Sequence, residues 1–424
     1  MYSGDHVELI VEKPVAGGRM LARHEGRIVF VSGAIPGERV RARIERVERQ
    51  LAFASVDDVL QPSSDRRIPP GDPSCGGCAY AHVEYSRQRA LKSELIRDSF
   101  ERLARVPLES AVEVAASPES GYRMRARLHV RDGRIGFFRE GTHEICDPRQ
   151  TRQLRDDAVD AALSALSAAV KVAPVASAEF SENIDADARV VHFELRDGHV
   201  PRELLHEAMT AGSLSGATAW GRTGMQAVGT RTVSDSLRVL TGGRAGAGRL
   251  HRHAAAFFQA NRYLLPRLVQ TVLDAVLPDG PVLDLYAGVG LFAVSLAHSG
   301  REGITAVEGD HVSGADLAHN AAACGHAISV VTGSVEQYLA RGAVQPQTVV
   351  VDPPRTGLSR NALSAVSGLT ATRIIYVSCD PPTMARDARR LLDGGYRLSG
   401  LQAFDLFPNT PHVEAVGMFD LATS

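Results

Sequence analysis

The chain has 424 residues, 44% of them hydrophobic and 23% charged, with a formal net charge of −2. This is the composition of an ordinary globular protein, and the length exceeds one hydrophobic core, so two or three domains are expected. It excludes a spanning helix, since no apolar run approaches the roughly 18 residues required, and a globally basic nucleic-acid binder, so any basic surface must be local. Five cysteines, an odd and small number, argue against a disulfide scaffold and for a reducing compartment. Met1-Tyr2-Ser3-Gly4-Asp5-His6 carries no signal-peptide pattern, and the expected location is the cytoplasm. Aromatic content of 5%, with one tryptophan, leaves no material for a broad stacking platform.

Residues 1–60 alternate short apolar runs (Val7–Val11, Arg27–Val31, Arg39–Ile44) with turns at Gly17-Gly18, Gly33 and Pro36-Gly37, the pattern of a small β-barrel. Arg39, Arg41 and Arg43 alternate along one strand face, either a phosphate-facing stripe or a solvated face. Gln61 to Pro73 reads as a linker. Cys75-Gly76-Gly77-Cys78 supplies half of a metal or iron–sulfur site, and an amphipathic helix follows from about Tyr85 to Leu103. Gly121 to Val130 alternates as a strand, turns at Asp132-Gly133, and returns through Arg134 to Arg139 as a hairpin. Arginine outnumbers acid from Arg123 to Arg155, making this the expected RNA-facing surface. A helix over Asp156–Val170, a strand over Arg189–Leu195 and a helix over Arg202–Ala211 complete a central α+β domain, 61–250. Gly242 to Gly248 is a hinge, and Phe257-Phe258-Gln259-Ala260-Asn261 is expected to open a helix running through Ala275.

From Pro281 the pattern becomes strand–helix alternation. Strands over Pro281–Tyr286, Ile304–Glu308, Thr348–Asp352 and Ile374–Ser378 imply a doubly wound, Rossmann-like parallel sheet within 251–424. The fold class is α/β, with the barrel and the α+β domain before it. Ala287-Gly288-Val289-Gly290 opens a helix but lacks the third glycine of a dinucleotide site. With Asp284 before it, the turn suits S-adenosyl-L-methionine (AdoMet), which has no pyrophosphate, and Glu308 at the next strand end can accept from a ribose diol. Asp352-Pro353-Pro354-Arg355 is a rigid, donor-poor loop; Arg355 stands where an amine-methylating enzyme would carry an aromatic residue.

Cys379 ends a buried strand at the edge where open α/β sheets place their chemistry. Uracil C5 is a poor nucleophile, and thiolate attack at C6 makes it an enolate carbon able to take a methyl group. A base must then remove the C5 proton. Cys379 is the expected nucleophile, held as thiolate by its neighbours. Glu414, in a Pro-rich loop before the final apolar segment, is the expected base.

Gln259-Ala260-Asn261, Asp284-Leu285-Tyr286-Ala287-Gly288-Val289-Gly290, Asp352-Pro353-Pro354-Arg355-Thr356-Gly357-Leu358, Ser378-Cys379-Asp380-Pro381 and His412-Val413-Glu414 together resemble the RNA 5-methyluridine methyltransferases, and residues 1–60 resemble their TRAM domain. The resemblance implies Cys379 as nucleophile and Glu414 as base. It implies an AdoMet pocket lined by Gln259, Tyr286, Gly288, Glu308 and Asp352, and a uridine of rRNA or tRNA flipped out of its fold. Many members bind a [4Fe–4S] cluster through four cysteines. Here Cys75 and Cys78 match two of them, Pro69 and Thr151 stand at the others, and Cys146 lies five residues early. The cysteines therefore read as remnants of an iron–sulfur site, with a set completed by Asp72 the alternative. The expected partner is RNA, with no membrane contact, and the expected state a monomer. Competing readings are a same-fold C5 methyltransferase acting on another base and a non-catalytic RNA-binding protein.

Overall fold

A computed structural model describes residues 1–222, 224–342 and 345–422. The N-terminal strands β1 (His6–Pro14), β2 (Met20–His24), β3 (Arg27–Ser32), β4 (Arg39–Val47) and β5 (Leu51–Gln61) close into a barrel in the order β1-β2-β3-β5-β4. Alternation sends Leu9, Val11, Val29, Val31, Val40, Ala42 and Ile44 into its core. Arg39, Arg41 and Arg43 face outward and each meets an acid: Glu8 at 2.6 Å, Asp58 at 2.9 Å and Asp57 at 3.8 Å.

Helix α1 (Tyr85–Ser99) follows, and its last turn widens over Phe100–Ala104. The short β6 (Val114–Ala115) leads to β7 (Arg125–Arg131), β8 (Arg134–Phe138), β9 (Ile145–Cys146), α2 (Asp156–Val172), β10 (Val175–Glu182), β11 (Arg189–Leu195), α3 (Arg202–Ala211), β12 (Gly216–Gly221) and β13 (Gly224–Gly229). These strands form a seven-stranded sheet in the order β13-β12-β11-β10-β7-β8-β9. The alanine-rich face of α2 packs onto it, with Ala158, Ala162, Ala165 and Ala169 buried against Leu128, Phe180 and Phe193. A two-stranded link, β14 (Thr232–Ser236) and β15 (Arg249–His253), with α4 (Leu237–Leu240) between them, leads to the C-terminal sheet.

That sheet contains β16 (Val282–Leu285), β17 (Ile304–Glu308), β18 (Ile328–Thr332), β19 (Thr348–Val351), β20 (Arg373–Ser378), β21 (Tyr396–Phe404) and β22 (Glu414–Leu421), and β6 adds the eighth strand. Helices α5 (Leu265–Ala275), α6 (Leu291–His298), α7 (His311–Ala322), α8 (Val335–Ala340), α9 (Arg360–Gly368) and α10 (Pro381–Asp393) accompany them. β16 and β19 are buried along their whole length, as strands covered on both faces must be.

Two expectations need correction. The sheet is not wholly parallel: in the order β18-β17-β16-β19-β20-β22-β21-β6, β22 runs antiparallel to both β20 and β21. The crossover after α10 returns through a hairpin, so the chain comes back along the sheet rather than over it. The helix after Asn261 begins at Leu265, not Phe257. The Asn261 side-chain oxygen accepts from the N–H groups of Tyr263 and Leu264, and Pro266 sits in the first turn, where its missing donor costs nothing. Among the described residues no helix is long and apolar enough to cross a membrane.

Candidate active site

The carboxyl edge of the C-terminal sheet gathers the chemistry. After β16 the chain turns at Tyr286, whose φ of 61° is left-handed, and Gly288, at φ 58°, has open space where a Cβ would stand. Glu308, closing β17, accepts the Gly288 N–H at 2.7 Å on one oxygen and the Asp310 N–H at 2.6 Å on the other. Its carboxylate is thus fixed beside the glycine turn. Asp284, fully buried in β16, accepts the Ala293 N–H at 3.0 Å while its second oxygen has no partner. Burial, reinforced by the charges of Asp352 and Glu308, pushes it up to about 8. Asp352 follows β19 and is bonded by the Gln259 side chain; burial and the charge of Glu308 push it up to about 7.

The segment carrying Gln259 is held from behind. Arg252, fully buried, lies 4.3 Å from the Phe258 ring and binds Asp235 at 3.0 Å and the Glu182 carbonyl at 2.6 Å. Glu182 in turn pairs with Arg189 and Arg262. The central sheet therefore sets the height of Gln259 over the pocket.

The antiparallel strand supplies the other half. Ser378 pairs with Ala415, and continuing that register sets Cys379 opposite Glu414. Glu414 is not in a loop: it is the first residue of β22, 1% exposed, and neither of its oxygens has a hydrogen-bond partner. Burial, then the charge of Asp352, raises its pKa well above the ordinary range, and Arg355 opposes them. Cys379 is half-buried, and burial, then the charges of Glu414 and Asp352, push its thiol up to about 12. The expectation of a standing thiolate is therefore corrected: desolvation and two facing acids favour the thiol in the free protein. Arg355 alone counters them, by charge and by a hydrogen bond to the sulfur. The His412 ring is kept neutral, pushed down to about 4 by burial and by Arg355 and Lys92.

Sequence reasoning missed how the loop before Glu414 is held. Lys92 of α1, fully buried, binds Asp405 at 2.6 Å and the Phe407 carbonyl at 3.1 Å. Gln88, one turn earlier, donates to the Asn409 side chain at 2.9 Å and accepts the Asn409 N–H at 2.8 Å. The available signal was two long polar residues on the buried stripe that also carries Leu91, Leu95 and Ile96. Arg355 was legible as part of a motif, but not as the cation facing both Cys379 and Glu414.

A family model described as tRNA (uracil-5-)-methyltransferase matches residues 336–421, and a TRAM domain model matches residues 1–56. The chain is 31% identical to an uncharacterized RNA methyltransferase of Thermosynechococcus vestitus, covering 98% of each chain. It is 32% identical to a protein of Halomonas elongata named 23S rRNA (uracil(1939)-C(5))-methyltransferase RlmD, over 96% of this chain and 88% of that one. The chain belongs to the RNA uracil-C5 methyltransferase family. Its fold matches that of the Pyrococcus abyssi tRNA (uracil-54, C5)-methyltransferase crystallised with S-adenosyl-L-homocysteine, with a TM-score of 0.73, 22% identity, and coverage of 97% of this chain and 100% of that one.

The residues present fit AdoMet. The open space at Gly288 admits a close approach to backbone, and the fixed Glu308 carboxylate retains lone pairs for hydroxyl donors. They do not fit a [4Fe–4S] cluster, which takes four thiolates. Cys75 and Cys146 are joined in a disulfide, with Cα atoms 5.8 Å apart, and Cys78 is a buried thiol pushed up to about 12 by burial. The cysteine count, read as arguing against a disulfide scaffold, did not foresee this single bridge. Gly76 bonds the Phe138 carbonyl and Cys146 pairs with Phe137, which brings the two cysteines within bridging distance.

Proposed function

We propose that this protein methylates C5 of a uridine in RNA, with Cys379 as nucleophile and Glu414 as base. The observation that carries the reading is the β20–β22 register, which sets a thiol against a buried, unpartnered carboxylate beside the proposed cofactor pocket. Gln259, Tyr286, Gly288, Glu308 and Asp352 would hold AdoMet, whose sulfonium supplies an electrophilic methyl group. Ribosomal RNA is the proposed substrate class, since relatives over nearly the whole chain carry 23S rRNA in their names. The site is built from one chain, in keeping with a monomer acting on RNA in the cytoplasm.

Cys379 gives its proton to water as the uracil ring enters, and Arg355 is the cation placed to stabilise the resulting thiolate. The sulfur forms a bond to C6 and the C5–C6 electron pair shifts toward O4, making C5 nucleophilic. Once C5 carries the methyl group, Glu414 accepts the C5 proton. The freed pair restores the double bond and expels the Cys379 thiolate. A raised pKa suits this role: Glu414 gives its own proton to water before the step, and the ionised carboxylate is then a stronger base. Cys379→Ala should abolish both methyl transfer and the covalent RNA adduct. Glu414→Gln should form the adduct and release it slowly, leaving a protein–RNA band on denaturing gels. No such band, with Cys379 intact, would remove Glu414 from the base role; unchanged 5-methyluridine in rRNA of a deletion strain would refute the substrate class.

A further inference from the structure

Ion pairing neutralises part of the basic surface of the central domain. Arg125 and Arg127 meet Glu179, Arg139 meets Asp72, Arg149 meets Asp160 and Arg155 meets Asp157. Among the described residues, Arg134 and Arg196 have no carboxylate within ion-pair distance, while Arg131 has only the exposed Asp132 at 3.7 Å. Arg131 and Arg196 flank an aromatic pair, Arg196 also donating to the Val130 carbonyl at 2.7 Å, and Arg134 pairs with Arg131 across the hairpin. On the outer face of the β7–β8 hairpin, the rings of His129 and Phe138 stack with centroids 3.9 Å apart at an interplanar angle of 15°. Gly136, paired with His129, has no side chain to intrude. The His129 pKa is lowered by burial and by Arg127, which keeps the ring neutral. Both rings are half-buried and wall a groove of about 440 Å³ that Arg131 and Arg196 also line.

Resting on the RNA reading above, we propose that this groove is a docking site for a single-stranded base of the substrate RNA, stacked against the His129–Phe138 wall with its phosphates on Arg134 and Arg196. The chemistry matches such a ligand: a π wall takes any base face, and unpaired guanidiniums take the backbone. A duplex offers no free base face, so the groove discriminates unpaired RNA from paired RNA. Its place along the strand gives it a role in selection. The Met124 N–H bonds the Ala260 carbonyl, next to Gln259, and five residue steps separate Met124 from His129, about 17 Å of strand. The groove therefore engages nucleotides flanking the flipped uridine, and fixes which stretch of RNA reaches Cys379.

The test is equilibrium binding of the full chain to fluorescein-labelled oligoadenylate of about 12 nucleotides, against the same length as an A·U duplex and as an abasic ribose-phosphate strand. Phe138→Ala should weaken the single strand by roughly ten-fold or more while leaving the duplex and abasic strand within about two-fold. Arg134→Gln, an exposed change that leaves the rings in place, should lower the salt slope of single-strand binding by about 0.7. The proposal is overturned if native protein does not bind the single strand, if Phe138→Ala binds it as native does, or if all three probes weaken equally. Because no probe contains uridine in single-stranded form, these outcomes are independent of methyl transfer, and failure of the Cys379 chemistry would leave them unchanged.

Discussion

Asp284 makes plain how far burial governs this site. An ordinary aspartic acid ionises near 4, whereas this one is pushed up to about 8 by full burial and by the charges of Asp352 and Glu308. Between those values the folded chain keeps a proton that the unfolded chain has released. The group's contribution to stability is therefore complete below about pH 4 and is lost as the pH rises through 8. Without added AdoMet, the melting temperature should fall between pH 5 and 8.5, with a slope from this group of at most about 1.4 kcal/mol per pH unit. Asp284→Asn keeps an acceptor for the Ala293 N–H and should flatten that slope. An identical pH profile in the variant would mean that the proton is not held there. Cys379 obeys the same physics: burial and the charges of Glu414 and Asp352 favour its thiol, which limits reaction with electrophiles.

Helix α1 joins three parts of the molecule. Leu91 packs into the barrel core, Ile96 packs with Tyr376 and Ala415 of the C-terminal sheet, and Lys92 with Gln88 holds the loop that leads to Glu414. Lys92 is wholly buried, and removing one member of a buried pair strands the other charge. Lys92→Ala should therefore cost about 3–5 kcal/mol in urea unfolding. Lys92→Met with Asp405→Leu removes both charges and should recover most of that stability. It should recover less of the turnover, because the Phe407 carbonyl also loses its donor. Equal recovery of both would make the pair purely structural. β22 is the other element with a particular task. By running antiparallel it starts at the edge where its parallel neighbours end, so Glu414 and Cys379 share one rim.

Across the whole molecule, the Cys75–Cys146 link ties the segment after the barrel to the β8–β9 end of the central sheet. It closes a loop with a sequence separation of 71 residues. On chain-entropy grounds that is worth roughly 4 kcal/mol to the folded state. Denaturation with and without a thiol reductant should show a drop of that order, and Cys75→Ser should lose stability in oxidising buffer and become insensitive to the reductant. If the midpoint does not move, the rest of the core already fixes this corner. The outer charges follow a related pattern: Arg39 and Arg41 of the barrel and Arg125 of the central sheet are each matched by an acid, in keeping with a net charge of −2.

The sequence by itself determined the strands at 189–195 and 304–308, the helix at 202–211, the closed barrel and the candidate residues of the site. Period-two and period-3.6 patterns are local, and the motifs at Asp284, Asp352 and Cys379 sit at or beside strand ends. Only the tertiary structure decided the direction of β22, because a strand reads the same whichever way it pairs. It also decided the protonation of Cys379, since burial and the charges of Asp352, Arg355 and Glu414 act on it only once the fold brings their separate strand ends together. The contacts of Lys92 with Asp405 and of Gln88 with Asn409 span 313 and 321 residues and leave no periodic trace. Cys75 and Cys146 are the reverse case: the small, odd cysteine count argued against a disulfide scaffold, and the fold of the β8–β9 hairpin brought this one pair together.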